Sequence, residues 1–401
     1  YARNISRQKD LPSHNHTMFC ALSLIYAHDY FSKRYPELKY ITDEWKQVGD
    51  DVFYVFNHNG WKPLCDDSSY SNQVTLPSYG DGSVKSPFPT VLSAIFTHYI
   101  SDGEMQWLYD RFKNLNNGQT VSLQRLFDSG VIPKEHEDMT GITRIMLDKY
   151  SYTVWEKNPK QAKQFSTTPP NGPYEACFDK VSIRTGRDQE NDDFLLIDGL
   201  GSNGIHSYSD AMGILDYTSK GVVWLVEEND YRWPEPENCS ILTIARNGYA
   251  SEVPGYALLE EQTVLDQNRY YLRMRLKNYN GTDWIREIYL IKGVCAIFHD
   301  TVICNQEGEF IINAHFRTPS KVQLWNQTAK ALRRNRERCE YELRLSGYSN
   351  NNISMNVEEI PYGKRLFDYG GMYDEDEKKT GNKTTKADIM WESRYHDKDV
   401  V

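Results

Sequence analysis

His206 follows a glycine-rich turn, Gly199-Leu200-Gly201-Ser202-Asn203-Gly204, and precedes Asp210 by four residues. Imidazole titrates near neutral pH, so a histidine held at a strand end can take or give a proton. Near the start of the chain stands a second group, Ser13-His14-Asn15-His16. A third is Asp66-Asp67-Ser68-Ser69-Tyr70, in a loop after Trp61. Together these residue types suit proton abstraction α to a carboxylate. The carboxylate charge must be neutralised, which an asparagine side-chain N–H does without adding charge. A base must remove the proton and an acid must protonate the departing oxygen, and His and Tyr serve both ends. Each residue also has a plain structural reading. A lone loop histidine is more often solvated or structural than catalytic. Ser13 or Asn15 can cap the following helix, with the histidines on its first turn. Asn15-His16-Thr17 is also a glycosylation sequon, and a loop tyrosine usually packs. Nothing in local spacing brings the three groups together.

The elements that must position them fall into two halves. Residues 1–150 read as helical: Met18–Phe31 has apolar residues at helical spacing after a Pro12-Ser13 start signal. Asp43–Phe56, Pro89–Ile100, Glu104–Asn114 and Ser122–Phe127 continue that pattern, which predicts helical hairpins wound side by side. Asn158–Pro173 is rich in Pro, Thr and Lys and reads as a linker. Beyond it the period changes to that of strands. These are Lys180–Arg184, Phe194–Ile197, Val222–Val226, Ser240–Ala245, Tyr270–Tyr279, Trp284–Ile291, Val294–Ile303, Glu309–Phe316 and Cys339–Leu345. Many short strands between turn signals predict a β-sandwich or stacked antiparallel sheets. The expected division is a helical portion over 1–157, a linker over 158–174, an antiparallel β-sandwich over 175–360 and a charged tail over 361–401, partly disordered at its centre.

Bulk properties narrow the function. A chain of 401 residues is expected to hold two domains. The net charge of −10 argues against a nucleic-acid partner, whose binding rests on basic patches. No apolar run approaches the roughly 20 residues of a membrane span. With 28 Tyr and 9 Trp, the chain has aromatic faces to spare for stacking on sugar rings. None of the seven cysteines shows C-x-x-C spacing, so they are expected to be mostly reduced and buried. Cys295 and Cys304, expected to flank a hairpin, are the best disulfide candidates. The first residue is Tyr1, and the chain is read as a trimmed piece without a signal peptide.

The strand-rich half resembles the heparinase II/III-like family of polysaccharide lyases. The resemblance runs from Asp179–Gly186 through Asp193–Glu227 to Asn238, then through Asn280–Arg286 and Phe298-His299-Asp300. The helical half resembles it more weakly, through Asn15-His16 followed by Tyr70. The resemblance implies a multidomain α and β fold: an N-terminal α/α toroid, incomplete in this chain, joined to an antiparallel β-sandwich, with substrate between them. It also implies β-elimination on a uronic-acid-containing polysaccharide. Asn15 would neutralise the uronate, helped by His16; Tyr70 would be the acid, and the base for one substrate stereochemistry; His206 would be the base from the sheet half. His14 and Trp61 stand beside these groups as candidates for binding substrate.

There are departures from the pattern. Tyr208, Asp210 and Ala211 stand where a second histidine, an acid and an asparagine are expected, and Glu237 stands where a histidine precedes Asn238. Tyr208, Glu227 and Glu237 are thus the counterparts of a structural metal site in some members, and they make a poor zinc site. An oxygen-loving divalent ion suits them better. No cofactor is required for the reaction. The partner implied is an anionic polysaccharide, and the compartment implied is the periplasm or the cell exterior. A uronate C5-epimerase would use the same residues. A non-catalytic glycan-binding relative is favoured by the altered metal positions and opposed by Asn15, Tyr70 and His206. A hydrolase would need two carboxylates across a cleft, and Asp66 and Asp67 are adjacent in sequence.

Overall fold

The computed structural model describes residues 15–56, 103, 130–134, 140–146, 172–186, 188, 191–199, 211–226, 236, 239–251, 253–318, 320–334, 339–349, 352–361 and 383–395. Two helices come first, α1 (Asn15–Arg34) and α2 (Lys39–Phe56). Pro36 opens a short 3-10 turn between them, as a proline without an N–H to offer does at a first helical position. Leu22, Leu24 and Ile25 are buried on α1. Phe31 of α1 meets Trp45 of α2 edge-to-face, with ring centroids 6.2 Å apart. Both helices stand where helical periodicity places them. The other expected helices lie outside the described residues. No described helix is long and apolar enough to cross a membrane.

Most of the rest of the described chain is antiparallel sheet. The first sheet runs β1 (Gly141–Met146), β2 (Phe178–Arg184), β3 (Asp193–Asp198), β4 (Ile214–Ser219) and β5 (Val222–Val226), in that spatial order. The second has the order β11 (Cys295–Cys304), β10 (Thr282–Ile291), β9 (Arg269–Tyr279) and β8 (Leu258–Asp266). In the third, β12 (Gly308–Thr318) lies between β6 (Leu242–Arg246), with β7 (Tyr249–Ala250) beyond it, and β17 (Lys383–Tyr395), with β16 (Ile353–Pro361) beyond that. Strands β13 (Val322–Trp325), β14 (Thr328–Arg334) and β15 (Glu340–Ser346) make the last.

The sequence explains the pairing. Strand β9 alternates Tyr270, Leu272, Met274 and Leu276, all buried, with Arg273, Arg275 and Lys277 on the other face. Asn280 and Gly281 join β9 to β10 with φ of 51° and 84°, the conformation of a two-residue hairpin turn, which favours Asn-Gly. The inward residues of β2 to β6, β9, β10 and β12 form one apolar core that includes Val181, Ile183, Leu195, Ile197, Trp284 and Phe310. Ser240 ties the first and third sheets together: its hydroxyl donates to the Val226 carbonyl at 2.9 Å and accepts from the Arg317 N–H at 2.9 Å.

Three expectations need correction. Gly141–Met146, inside the stretch read as helical, is strand β1 and pairs with β2 over its whole length. Its Gly-Ile-Thr-Arg-Ile-Met sequence is β-branched, and the waiting edge of β2 decides its state. Lys383–Tyr395, in the stretch read as a charged tail, is strand β17, paired on both sides. Cys295 and Cys304 are free thiols at opposite ends of the single strand β11. Nine residue steps at about 3.3 Å each put their backbones roughly 30 Å apart, far beyond disulfide reach.

Candidate active site

The described chain frames residues 200–210, which themselves lie outside the described residues, and the frame starts at the end of β3. The Asp198 carboxylate is fully buried and accepts from the Lys180 ammonium at 3.0 Å, across the β2–β3 pair. One residue on, the Gly199 carbonyl accepts from the Ala257 N–H at 2.8 Å. A Cβ on Gly199 would lie 2.6 Å from Cδ2 of Phe178 and closer still to the Phe178 carbonyl oxygen. Glycine is therefore required here because two stretches of the chain touch, as at other close backbone approaches.

The chain is described again from Ala211, and its return is tied tightly. The Met212 N–H donates to the Asp198 carbonyl at 2.8 Å, and the Asp198 N–H donates to the Gly213 carbonyl at 3.0 Å. Residues 198 and 212–213 thus bring together the two ends of the stretch between them. Met212 has φ of 68°, a left-handed conformation that a side chain beyond Cβ makes costly. Its carbonyl accepts from Nη1 of Arg286 at 2.9 Å. The same guanidinium grips Asp300 with two bonds, Nε to Oδ1 at 2.8 Å and Nη2 to Oδ2 at 2.9 Å. Trp284 Nε1 also donates to Asp300 Oδ1, at 2.8 Å, and the Arg286 guanidinium stands 4.7 Å from the centre of the Trp284 ring. Arg286 is 1% exposed. The Trp284, Arg286 and Asp300 positions of the resembling segments are therefore one clamp on the returning strand.

One face of the first sheet is polar yet buried. The strand register puts Lys180, Ser182 and Arg184 of β2 on the same face as Asp198 of β3 and Asp216 and Thr218 of β4. All six side chains are buried, whereas the opposite face, with Val181, Ile183, Leu195 and Tyr217, belongs to the apolar core. Burial pushes the Asp216 carboxyl up to about 7, against the opposing pull of the Thr218 hydroxyl, which donates to it at 2.7 Å, and of the Arg184 charge. Asp193, at the start of β3, is also raised by burial, while the Gly293 N–H donates to its carboxylate at 2.6 Å. A carboxyl that holds its proton near neutrality is unusual on a surface and common where protons are handled. Asp216 escaped sequence reading because β4, Ile-Leu-Asp-Tyr-Thr-Ser, has no apolar alternation to mark it. The signal that could have found Arg286 was there: a charge at an inward position of β10, between Trp284 and Ile288.

The residues singled out from sequence are placed as follows. Asn15 and His16 are the first two residues of α1, and their side chains lie outside the described residues. His14, Trp61, Asp66, Asp67, Tyr70, His206, Tyr208, Asp210, Glu227 and Glu237 also lie outside them. His14, Asp210, Glu227 and Glu237 each adjoin a described residue, Asn15, Ala211, Val226 and Pro236 in turn, and His206 lies in the stretch between Gly199 and Ala211. No group of His, Cys, Asp and Glu among the described residues could hold a metal ion. Tyr208, Glu227 and Glu237 together offer a phenol and two carboxylates, a donor set that does not fit zinc.

The fold has a counterpart among solved structures. The chain is similar to heparan sulfate lyase HepC from Pedobacter heparinus, with a TM-score of 0.50 and 16% identity over 96% of this chain and 59% of that one. It is also similar to heparinase III, with a TM-score of 0.49 and 12% identity, over 100% of this chain and 62% of that one. The chain thus spans about three-fifths of the length of these lyases. At such identity the likeness is one of fold, and it is carried by the antiparallel sheets. No family model matches the sequence, and no curated protein matches it.

Proposed function

We propose that this chain is a polysaccharide lyase that cleaves a uronic-acid-containing, glycosaminoglycan-like polysaccharide by β-elimination. Its sheets follow an α/α toroid portion made by the helical half. The observation that carries this reading is the fold likeness to heparan sulfate lyase HepC, over nearly the whole chain. The sequence adds residues of the right types, Asn15, His16, Tyr70 and His206. Asn15, with His16, neutralises the uronate carboxylate, so that charge can spread into it as the C5 proton leaves. His206, or Tyr70 for the other stereochemistry at C5, takes that proton. The electron pair forms the C4–C5 double bond as the C4–O bond breaks, and the Tyr70 hydroxyl protonates the departing glycosidic oxygen. Water takes no part, and the new non-reducing end is an unsaturated uronate. His14 and Trp61 contribute to substrate binding. The reaction needs no cofactor; a divalent ion at Tyr208, Glu227 and Glu237 would be structural and oxygen-loving. A role outside the cytoplasm, in the periplasm or secreted, fits a polymeric substrate.

A panel of uronic polysaccharides followed by near-ultraviolet absorbance tests this reading. Unsaturated product is expected from at least one polymer. Tyr70→Phe, which deletes one hydroxyl, is expected to abolish turnover and leave the fold intact; full activity in that variant sinks the assignment. The replacement of expected histidines by Tyr208 and Glu237 favours a second reading, a glycan-binding relative without turnover. Binding of a uronic polymer with no product from any of the panel would select it. Inversion at C5 without product would select an epimerase.

A further inference from the structure

We propose that the outward face of the three-stranded sheet, at Trp325, Lys330 and Arg344, is an accessory binding surface for an anionic polysaccharide; the choice of a uronic polymer rests on the lyase reading. The register fixes the face. Gln323, Lys330 and Arg344 stand opposite one another across β13, β14 and β15, and Trp325, Thr328 and Ser346 form the next row of the same face. The other face anchors the sheet: Ala329 and Ala331 are buried in the core, and Tyr341, Leu343 and Leu345 pack against it. The outward rows therefore stand on strands whose backs are fixed, as a site that must keep its geometry requires.

Three observations point to this ligand. First, the Trp325 ring is 66% exposed, although tryptophan is among the side chains that gain most from burial. It borders the two-residue turn Asn326-Gln327, in which Asn326 takes φ of 54°, so the indole stands at a hairpin end on an edge strand. Secondly, the Lys330 ammonium lies 4.7 Å from the ring centre, which sets a cation beside an apolar plate. Thirdly, Lys330 and Arg344 are direct cross-strand neighbours, and like charges so placed destabilise a sheet unless an anion answers them. Glu342 answers one by accepting from Nε of Arg344, while the other turns to the Trp325 ring. A sugar ring offers its C–H face to an indole, and a carboxylate or sulfate on that sugar offers charge to Lys330 and Arg344. The nearby sequence also attracts a polyanion: residues 330–338 carry five Lys and Arg against one Glu, in a chain of net charge −10. Stability does not explain the arrangement. An exposed cation–π contact contributes about 0.5–1 kcal/mol, and an apolar ring on an edge strand invites unwanted pairing. The sheet shares no strand with the one that frames residues 200–210. Two points of attachment to one polymer raise its apparent affinity through effective concentration.

The test uses the whole chain and two readouts. In affinity electrophoresis through gels containing heparan sulfate or hyaluronan, Trp325→Ala and Lys330→Ala/Arg344→Ala should each weaken apparent binding at least threefold for one polymer or both. Trp325→Phe, which keeps an aromatic plate, and Arg269→Ala, an exposed arginine on β9, should stay within twofold of the parent. An effect with hyaluronan shows that a carboxylate suffices, and an effect with heparan sulfate alone assigns the contact to sulfate. In turnover of a polymer that the parent cleaves, Trp325→Ala should raise KM at least threefold, while kcat and KM on a tetrasaccharide of that polymer stay within twofold. Parent-like binding in both weakened variants overturns the proposal, as does equal retardation of the parent by neutral dextran. A loss on the tetrasaccharide as large as on the polymer overturns it too, since Trp325 would then belong to the cleaving site. A parent that binds through Trp325 yet yields no unsaturated product removes the lyase reading and leaves the binding surface standing.

Discussion

Replacing Gly199 by alanine tests whether the end of β3 is fixed by contact between two backbones. The added Cβ would stand 2.6 Å from the Phe178 ring and closer still to the Phe178 carbonyl oxygen. An ordinary carbon–oxygen contact is longer by most of an ångström, and a backbone oxygen inside a paired strand cannot rotate away as a side chain can. Overpacking of this kind costs about 1–3 kcal/mol. Shifting the strand end also strains the bond from the Ala257 N–H to the Gly199 carbonyl, adding about 1 kcal/mol. A loss of about 3 kcal/mol lowers Tm by roughly 6–12 °C at about 2–4 °C per kcal/mol for a domain of this size. Gly248→Ala is the matched control. Gly248 has φ of 80° with nothing within 4 Å of an added Cβ, so it bears the left-handed cost alone. That is about 1–2 kcal/mol, or roughly 2–8 °C. Differential scanning calorimetry of the two variants decides. Gly199→Ala melting within 2 °C of the parent would refute the close-approach argument.

Three further outcomes are expected. The raised Asp216 carboxyl is protonated in the fold at acid pH, so its contribution to stability is complete below its ordinary value near 4 and is lost as pH rises through about 7. Asp216→Asn should therefore flatten the fall in stability between pH 4 and 8 and be the more stable chain at pH 8; parallel pH profiles in denaturant melts would contradict this. Lys180→Met leaves the Asp198 carboxylate buried without its ammonium and should cost about 3–5 kcal/mol, most of it recovered in Lys180→Met/Asp198→Leu. Recovery should show as a return of the urea midpoint toward the parent. Burial, reinforced by the Glu175 charge, pushes the Cys177 thiol up to about 12, so it should resist iodoacetamide at pH 8 in the native chain, whereas exposed Cys339 reacts. Mass spectrometry of peptides reads both, and it should also find Cys295 and Cys304 alkylated after unfolding without reductant.

The sheets were legible where one face met the core and the other met water. Strands β9, β10 and β12 alternate, so the period marks them. Strand β4 was not legible, because Asp216 and Thr218 are buried on one face while Ile214 and Tyr217 are buried on the other, leaving no polar period. Strand β8, Leu-Leu-Glu-Glu-Gln-Thr-Val-Leu-Asp, hides behind its acids, which answer to arginines on β9: Glu260 accepts from both Arg273 and Arg275. Strand β17 gets its state from β12 and β16, partners far away in sequence, as β1 gets its own from β2. Of the candidate site's frame, the two apolar runs marked β3 and β5 but not β4 between them, and the contact that requires Gly199 is with Phe178. The Arg286, Asp300 and Met212 clamp joins three segments, and a spacing rule cannot reach across them.

The most direct test of the account is an incubation of the chain with a uronic polysaccharide, followed by near-ultraviolet absorbance and mass spectrometry of the products. β-Elimination predicts growing absorbance and, for every cut, one fragment (that with the new non-reducing end) one water lighter than its hydrolytic counterpart, with both signals lost in Tyr70→Phe. Fragments carrying the added water, or no cleavage of any polymer in the panel, would contradict it.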